Sequence, residues 1–249
     1  MNNDLERELE QVSSEMWLAQ EIHDLGGWQL RLNQDITWRA NSILPLSSPG
    51  VPLEDALAYC TEYYRERGLQ PRFQLTDFSY PSGLDDELRQ RNWKTGIRVD
   101  TEILDIFDYK RKFSHCRVEL LDTPSSEWME CFFKSSNRDR STAQVRVSLM
   151  LRSQIPKKFA QVRVGDEAVS IGLGMVAHNW IGLFRISTLA DFRNKGFASC
   201  LSDALLEWGF EQGAKKAFLQ VEVDNEVAKR MYANLGFKYC YTYWYRYLE

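Results

Sequence analysis

The sequence predicts an α/β (α+β) protein with two mixed β-sheets flanked by helices, and three observations carry that expectation. Strand-like and helix-like apolar periodicities alternate from end to end of the chain. The order strands, helix, glycine, strand, helix, strand occurs twice. A gap-free shift of 145 positions lays Glu62-Tyr63 on Glu207-Trp208, Glu66 on Glu211, Gly68 on Gly213 and Phe73 on Phe218, as a duplicated fold would. Because glycine is the usual helix terminator, part of that match can arise by chance in any two helix-glycine-strand units.

Element by element, Leu5, Leu9, Val12, Met16 and Leu18 mark an amphipathic helix over 4–21, closed by a turn at Gly26-Gly27. Residues 28–44 read as strand. Pro52 opens a helix that runs to Arg67 and stops at Gly68. A strand (73–77), a short helix (84–91) and a long strand (95–107) follow. In the second half, strands at 158–164, 168–176 and 181–187 precede a helix over 198–212, with Gly165-Asp166 turning between the first two. A strand (217–223), a helix (226–235) and a tyrosine-rich strand (237–247) complete it. The charged, weakly patterned stretch Lys110 to Cys116 is the expected boundary, giving domains 1–112 and 113–249.

Composition narrows the function. At 249 residues, 44% hydrophobic and 27% charged, the chain is globular and long enough for two domains. No apolar run approaches the roughly 20 residues that cross a bilayer, and the start MNNDLERELEQ lacks the apolar core of a secretion signal, so a cytoplasmic protein is expected. The net charge of −4 supplies no general reason for nucleic-acid binding and mildly favours cationic small substrates. Cysteines 60, 116, 131, 200 and 240 are odd in number with no close spacing, which indicates neither a disulfide framework nor a zinc site; buried small apolar roles are expected, and no metal.

One loop stands out. Arg193-Asn194-Lys195-Gly196-Phe197-Ala198 lies between a strand ending near Ser187 and an apolar helix. A loop feeding a helix N-terminus presents unpaired N–H groups and the positive end of the helix dipole, an anion site. Gly196 and the small Ala198 admit close approach, and Arg193 with Lys195 adds charge, so a diphosphate is the expected ligand. The Gly-Lys-Ser/Thr ending of a nucleotide-triphosphate loop is missing. In the first half the corresponding segment is Ser48-Pro49-Gly50-Val51-Pro52, where two prolines remove backbone donors.

The run Ile181 to Phe237 resembles the GNAT superfamily of N-acetyltransferases. Ile186-Ser187-Thr188 is similar to the strand end that pairs with the pantetheine arm, residues 193–198 to the pyrophosphate loop, and Asn225-x-x-Ala228-x-x-x-Tyr232-x-x-x-Gly236-Phe237 to the segment that follows the splayed strand. The whole chain resembles the tandem arrangement, with a degenerate N-terminal half that lacks the cradle.

The resemblance implies acetyl-coenzyme A as cofactor, held by Ile186, Ser187, Thr188, Arg193, Asn194, Lys195, Gly196, Phe197, Ala198, Ser199 and Asn225. It implies direct transfer of acetyl to a primary amine of a small molecule or a protein amino group. Partners in nucleic acid or membrane are not expected, and the chain is expected to be a monomer or homodimer. Tyr232 stands at the family position of the phenol that protonates the leaving sulfur. Gln220 replaces the glutamate that serves some relatives as base, and Ala190 replaces a proline. Glu222, on the Gln220 face by the two-residue strand period, then becomes the candidate base, with His178 and water as alternatives. Trp28, Trp38, Arg39 and Asn41 are candidates for an acceptor groove or for the core. A non-catalytic acetyl-coenzyme-A sensor or assembly module, and a transferase of longer acyl groups, are the competing readings.

Overall fold

The computed structural model describes residues 3–136 and 140–249. Its chain forms two compact units, one of Met1–Asp100, Ser148–Ser153 and Tyr241–Glu249, the other of Thr101–Val147 and Gln154–Cys240. The division falls at Asp100, twelve residues before the expected boundary, and returns the C-terminal strand to the first unit.

The first unit begins with helix α1 (Asn3–Met16), strands β1 (Glu21–Leu25), β2 (Trp28–Leu32) and β3 (Ile43–Pro45), helix α2 (Leu53–Arg65), strand β4 (Arg72–Leu75) and helix α3 (Leu84–Gln90). The long strand β5 (Lys94–Asp105) starts in it, and the C-terminal strand β11 (Lys238–Tyr247) ends in it. Its strands follow the order β1-β2-β3-β4-β11-β5, with Trp244 of β11 antiparallel to Leu75 of β4. β1 is a correction to the sequence reading, which ran the helix on to residue 21 and assigned no strand before the Gly26-Gly27 turn. The helix stops at Met16, and the exposed segment Glu-Ile-His-Asp-Leu pairs as an edge strand whose polar alternation resembles a solvated helix end.

The core of this unit gathers Trp28, Leu30, Tyr64, Phe73 and Leu75, all fully or almost fully buried. Trp28 meets Phe73 edge to face at 5.2 Å and donates its indole N–H to Tyr80 O at 3.0 Å. Asn41 is buried too, its Oδ1 accepting from the amides of Asn33 and Asp35. Trp38 packs edge-on against Tyr245, and Arg39 donates to the Tyr243 hydroxyl at 3.1 Å. These four side chains therefore serve the fold.

The segment of this unit that corresponds to the cradle is filled by the chain itself. Leu46 and Ser47 spend their amides on Gly27 O, at 3.2 and 3.1 Å, and Ser48 O accepts from Gly27 N at 2.6 Å. Gly50 N bonds to Ser48 Oγ at 3.2 Å, and the two prolines have no N–H to offer.

The second unit takes up the end of β5, then β6 (Val118–Leu121), α4 (Ser126–Ser136), the start of α5 (Arg140–Arg152, which passes to the first unit at Ser148), β7 (Lys157–Val164), β8 (Glu167–Ala177), β9 (Trp180–Thr188), α6 (Phe197–Glu211), β10 (Lys216–Glu222), α7 (Glu226–Leu235) and the start of β11. Its strands follow the order β5-β10-β9-β8-β7-β6. β6 to β9 are antiparallel neighbours, while β9 and β10, joined through α6, are parallel. The predicted 145-residue shift brings α2 onto α6, β4 onto β10, α3 onto α7 and β5 onto β11. β6, α4 and α5 have no counterpart in the sequence reading.

α6 lies close against β8 because Gly172 has no side chain: a Cβ there would stand 2.5 Å from both Ile186 Cδ1 and Leu201 Cδ2. The stretch Lys110 to Cys116, expected as the domain boundary, is strapped together with Tyr109 to α6. Buried Asp203 accepts from the Tyr109 hydroxyl and from the amides of Lys112 (2.7 Å) and Phe113. Among the described residues, no helix is long and apolar enough to cross a membrane.

Candidate active site

The site begins with an irregularity in β9. Ile171 of β8 pairs with Ser187 and Leu173 with Phe184, so Arg185 and Ile186 stand opposite the single residue Gly172, a β-bulge with Arg185 at φ 56°. Bulges bend a strand and increase its twist. On the other side of β9 the consequence is visible in the ladder: β9 pairs with β10 from Trp180–Lys216 to Leu183–Leu219 and no further, although both strands continue. The two strands splay, and the backbone of Ile186, Ser187 and Thr188 is left facing a cleft. Ser170 holds this strand end from behind, with Oγ 2.9 Å from Thr188 Oγ1 and 3.3 Å from Ser187 O.

The chain then makes a single 3-10 turn (Ala190–Phe192) and enters the cradle, with Asn194 at φ 60° and Gly196 at φ 77°. Gly196 is the N-cap residue of α6 and brings no capping side chain. The first-turn residues Phe197, Ala198 and Ser199 line the cleft, where their amides and the helix dipole favour an anion.

Together these elements enclose a cavity of about 1010 Å³. Of the candidate cofactor residues, Ile186, Ser187, Thr188, Arg193, Asn194, Gly196, Phe197, Ala198, Ser199 and Asn225 line it. Lys195 does not; its ammonium lies over the Phe192 ring, 4.9 Å from the centroid. Asn225 also caps α7, its Oδ1 accepting from Ala228 N at 3.2 Å, a bond that contributes about 1 kcal/mol to helices of this kind. The opposite wall is one face of α7, with Val227, Arg230, Met231 and Asn234. Sequence reasoning missed them, yet they recur at the three- and four-residue spacing of one helix face.

Gly196 is needed for a reason beside the close approach expected of it. A Cβ there would stand 2.6 Å from Nε2 of the His115 ring. Its left-handed φ adds a second reason.

Tyr232 is buried on α7, lines the cavity and packs its ring against Phe237 at 5.9 Å. Burial, and then the Glu102 carboxylate, push its phenol above the ordinary value. The hydroxyl therefore stays protonated at neutral pH and is suited to donate a proton. Glu222 is exposed at the end of β10 and does not line the cavity. His178, with Asn179, forms the two-residue turn between β8 and β9 at the far end of β9 from Ser187. That placement separates it from the cleft by most of a strand, roughly 25 Å. No carboxylate is found among the described residues lining the cavity.

A family profile described as "Probable histone acetyltransferase Rv0428c C-terminal" matches residues 5–248. The chain belongs to this family. It is a GNAT-type N-acetyltransferase, consistent with its likeness to YobR of Bacillus subtilis strain 168, described as an uncharacterized N-acetyltransferase. The two are 26% identical over 234 residues, covering 93% of this chain and 94% of YobR. Solved structures share the acetyltransferase's fold. A GCN5-related N-acetyltransferase from Kribbella flavida has a TM-score of 0.72 at 16% identity, covering 97% of this chain and 94% of that one. A tandem GNAT protein from the clavulanic acid biosynthesis pathway has a TM-score of 0.63 at 13% identity, covering 79% and 69%.

One cysteine expectation is corrected in the same acetyltransferase unit. Cys116 and Cys200, with Cα atoms 6.5 Å apart, are joined as a disulfide, and the His115 ring lies beside them. The partners are 84 residues apart in sequence, so local spacing carried no sign of the pair.

Proposed function

We propose that the acetyltransferase moves acetyl from acetyl-coenzyme A directly to a primary amine, of a small molecule or of a protein. The observation that carries this reading is the convergence on one cavity of a splayed strand end, a helix N-terminus shaped as an anion cradle, and a buried neutral phenol. The fit to the cofactor rests on those features: backbone donors at Phe197, Ala198 and Ser199 and the Arg193 guanidinium suit a pyrophosphate, and the β9 edge at Ile186–Thr188 suits an extended amide-bearing arm.

When bound, the thioester supplies the activated acetyl group. Tyr232 holds a proton at Oη and gives it to the departing sulfur. The Leu189 amide is spent on Val169 O at 2.9 Å, so steadying the developing oxyanion falls to the Thr188 N–H. Proton removal from the incoming amine falls to Glu222 from outside the cavity or to water. Arg193 and Arg230 place positive charge around the cavity that suits phosphates, not ammonium groups.

Calorimetric titration is expected to give one acetyl-coenzyme-A site per chain, because in the first-unit segment Ser48–Pro52 two prolines have no N–H and the Gly50 amide is taken by Ser48 Oγ at 3.2 Å. Two equivalent sites would refute that. Release of free thiol across a panel of amines tests transfer itself: binding without amine-dependent release would reduce the protein to a thioester-binding module.

A further inference from the structure

The thiol pair adjoins the cofactor cradle. Cys200 lies in the first turn of α6, and its amide closes that turn on Gly196 O at 3.0 Å. Cys116 follows His115, whose ring lies against Gly196. A bond between the two sulfurs therefore ties the 109–116 strap to the residues that shape the anion site.

We propose that Cys116 and Cys200 form a reversible dithiol/disulfide site that sets the affinity of the cradle for its diphosphate ligand. The coupling rests on the cofactor reading above. The chemistry requires a low-molecular-weight disulfide as oxidant. The thiolate of Cys116, the less buried of the two, attacks one sulfur of that disulfide and forms a mixed disulfide with release of one small thiol. Cys200, as thiolate, then attacks the Cys116 sulfur and displaces the second small thiol. Two protein thiols are oxidised, one small disulfide is reduced to two thiols, and the two protein protons leave with those thiols.

The surroundings of Cys200 suit this role. Arg111 Nη2 lies 3.8 Å from its sulfur, and the positive end of α6 adds to that field. The same guanidinium opposes a bound cation, although His115, Cys116 and Cys200 bring three potential ligand atoms within 4.8 Å of one another. In the oxidised state the strap and the first turn are covalently registered, so less ordering remains to be done when the ligand arrives. In the reduced state the Asp203 bonds still hold the strap, but the tie at the cradle is gone. The oxidised protein is the tighter binder.

The test compares the full chain after equilibration with glutathione disulfide and with dithiothreitol. Alkylation of the unfolded chain followed by mass measurement is expected to find three thiols (Cys60, Cys131 and Cys240) in the first sample and all five in the second. Calorimetry is expected to show acetyl-coenzyme A binding at least about fivefold tighter to the oxidised form. Cys116→Ser should bind equally under both conditions. Five alkylated thiols after glutathione disulfide, or equal affinity of the two unsubstituted forms, would overturn the proposal. So would uptake of one Co²⁺ by the reduced protein with strong thiolate charge-transfer absorption, which would make the trio a metal centre. No acetyl-coenzyme-A binding in either state would remove the cofactor reading and the coupling together, while the thiol count still reports on the pair.

Discussion

Tyr232→Phe is expected to lower turnover by about 10²- to 10⁴-fold, the range for removal of a positioned general acid, while leaving cofactor affinity and folding nearly unchanged. The ring contact with Phe237 survives the substitution, and only the hydroxyl is lost. The measurement requires an accepted amine and a rate limited by chemistry, since slow product release would hide the loss. The pH profile supplies a second readout. Because burial and Glu102 raise the phenol above its ordinary value of 10.0, its ionisation cannot produce a loss of activity below pH 10. The sign for stability follows: folded and unfolded chains both carry the neutral phenol below pH 10, and Tyr232 lowers stability only as pH rises from there toward its folded value. An acidic limb belongs to the base or the amine, and Glu222→Gln moves it only if Glu222 is that base. Undiminished turnover in Tyr232→Phe would remove the residue from the mechanism.

Gly196→Val is expected to weaken acetyl-coenzyme A binding by about 10- to 100-fold. Two effects add. A β-branched residue at φ 77° carries a backbone penalty of roughly 1–2 kcal/mol, about a factor of ten in affinity if the ligand needs that conformation. Its Cβ would also start 2.6 Å from His115 Nε2 and push loop and ring apart. His115→Ala in the Gly196→Val background separates the two, because it relieves the contact and leaves the backbone penalty. Recovery of part of the affinity, measured by calorimetry, is the expected result. Unchanged affinity in Gly196→Val alone would sink the assignment of this loop as the cradle.

What was legible in the sequence was local. α6, β10, α7 and β11 carry strong periodicity, a glycine at each helix end or start and an asparagine N-cap, so their bounds were readable to within a residue. The setting of the candidate cradle was legible for the same reason, since a strand, a loop and a helix N-terminus are consecutive in the chain. β1 was missed because an edge strand facing water has little apolar pattern to betray it. α5 was missed because Thr142, Val145 and Val147 dilute helix propensity and its apolar residues are spread around the axis. The opening of the cleft depends on the bulge at Arg185, a relation between strands to which β9 alone gives no clue. Asp203 was a readable exception: an acid inside an otherwise apolar helix calls for buried donors, and the strap supplies them.

The discontinuity of the first unit bears on how the protein is made. β4 obtains its antiparallel partner only from Trp244 to Tyr247, which follow it in synthesis by most of the second unit. Until then Phe73 and Leu75, destined for full burial, lie in a strand with an open edge. The nascent first unit must therefore wait, incompletely folded, while the intervening second unit is synthesised. The second unit lacks only the emergence of Cys240 to hold all of its own segments, so it can complete its sheet first, against the usual N-to-C order.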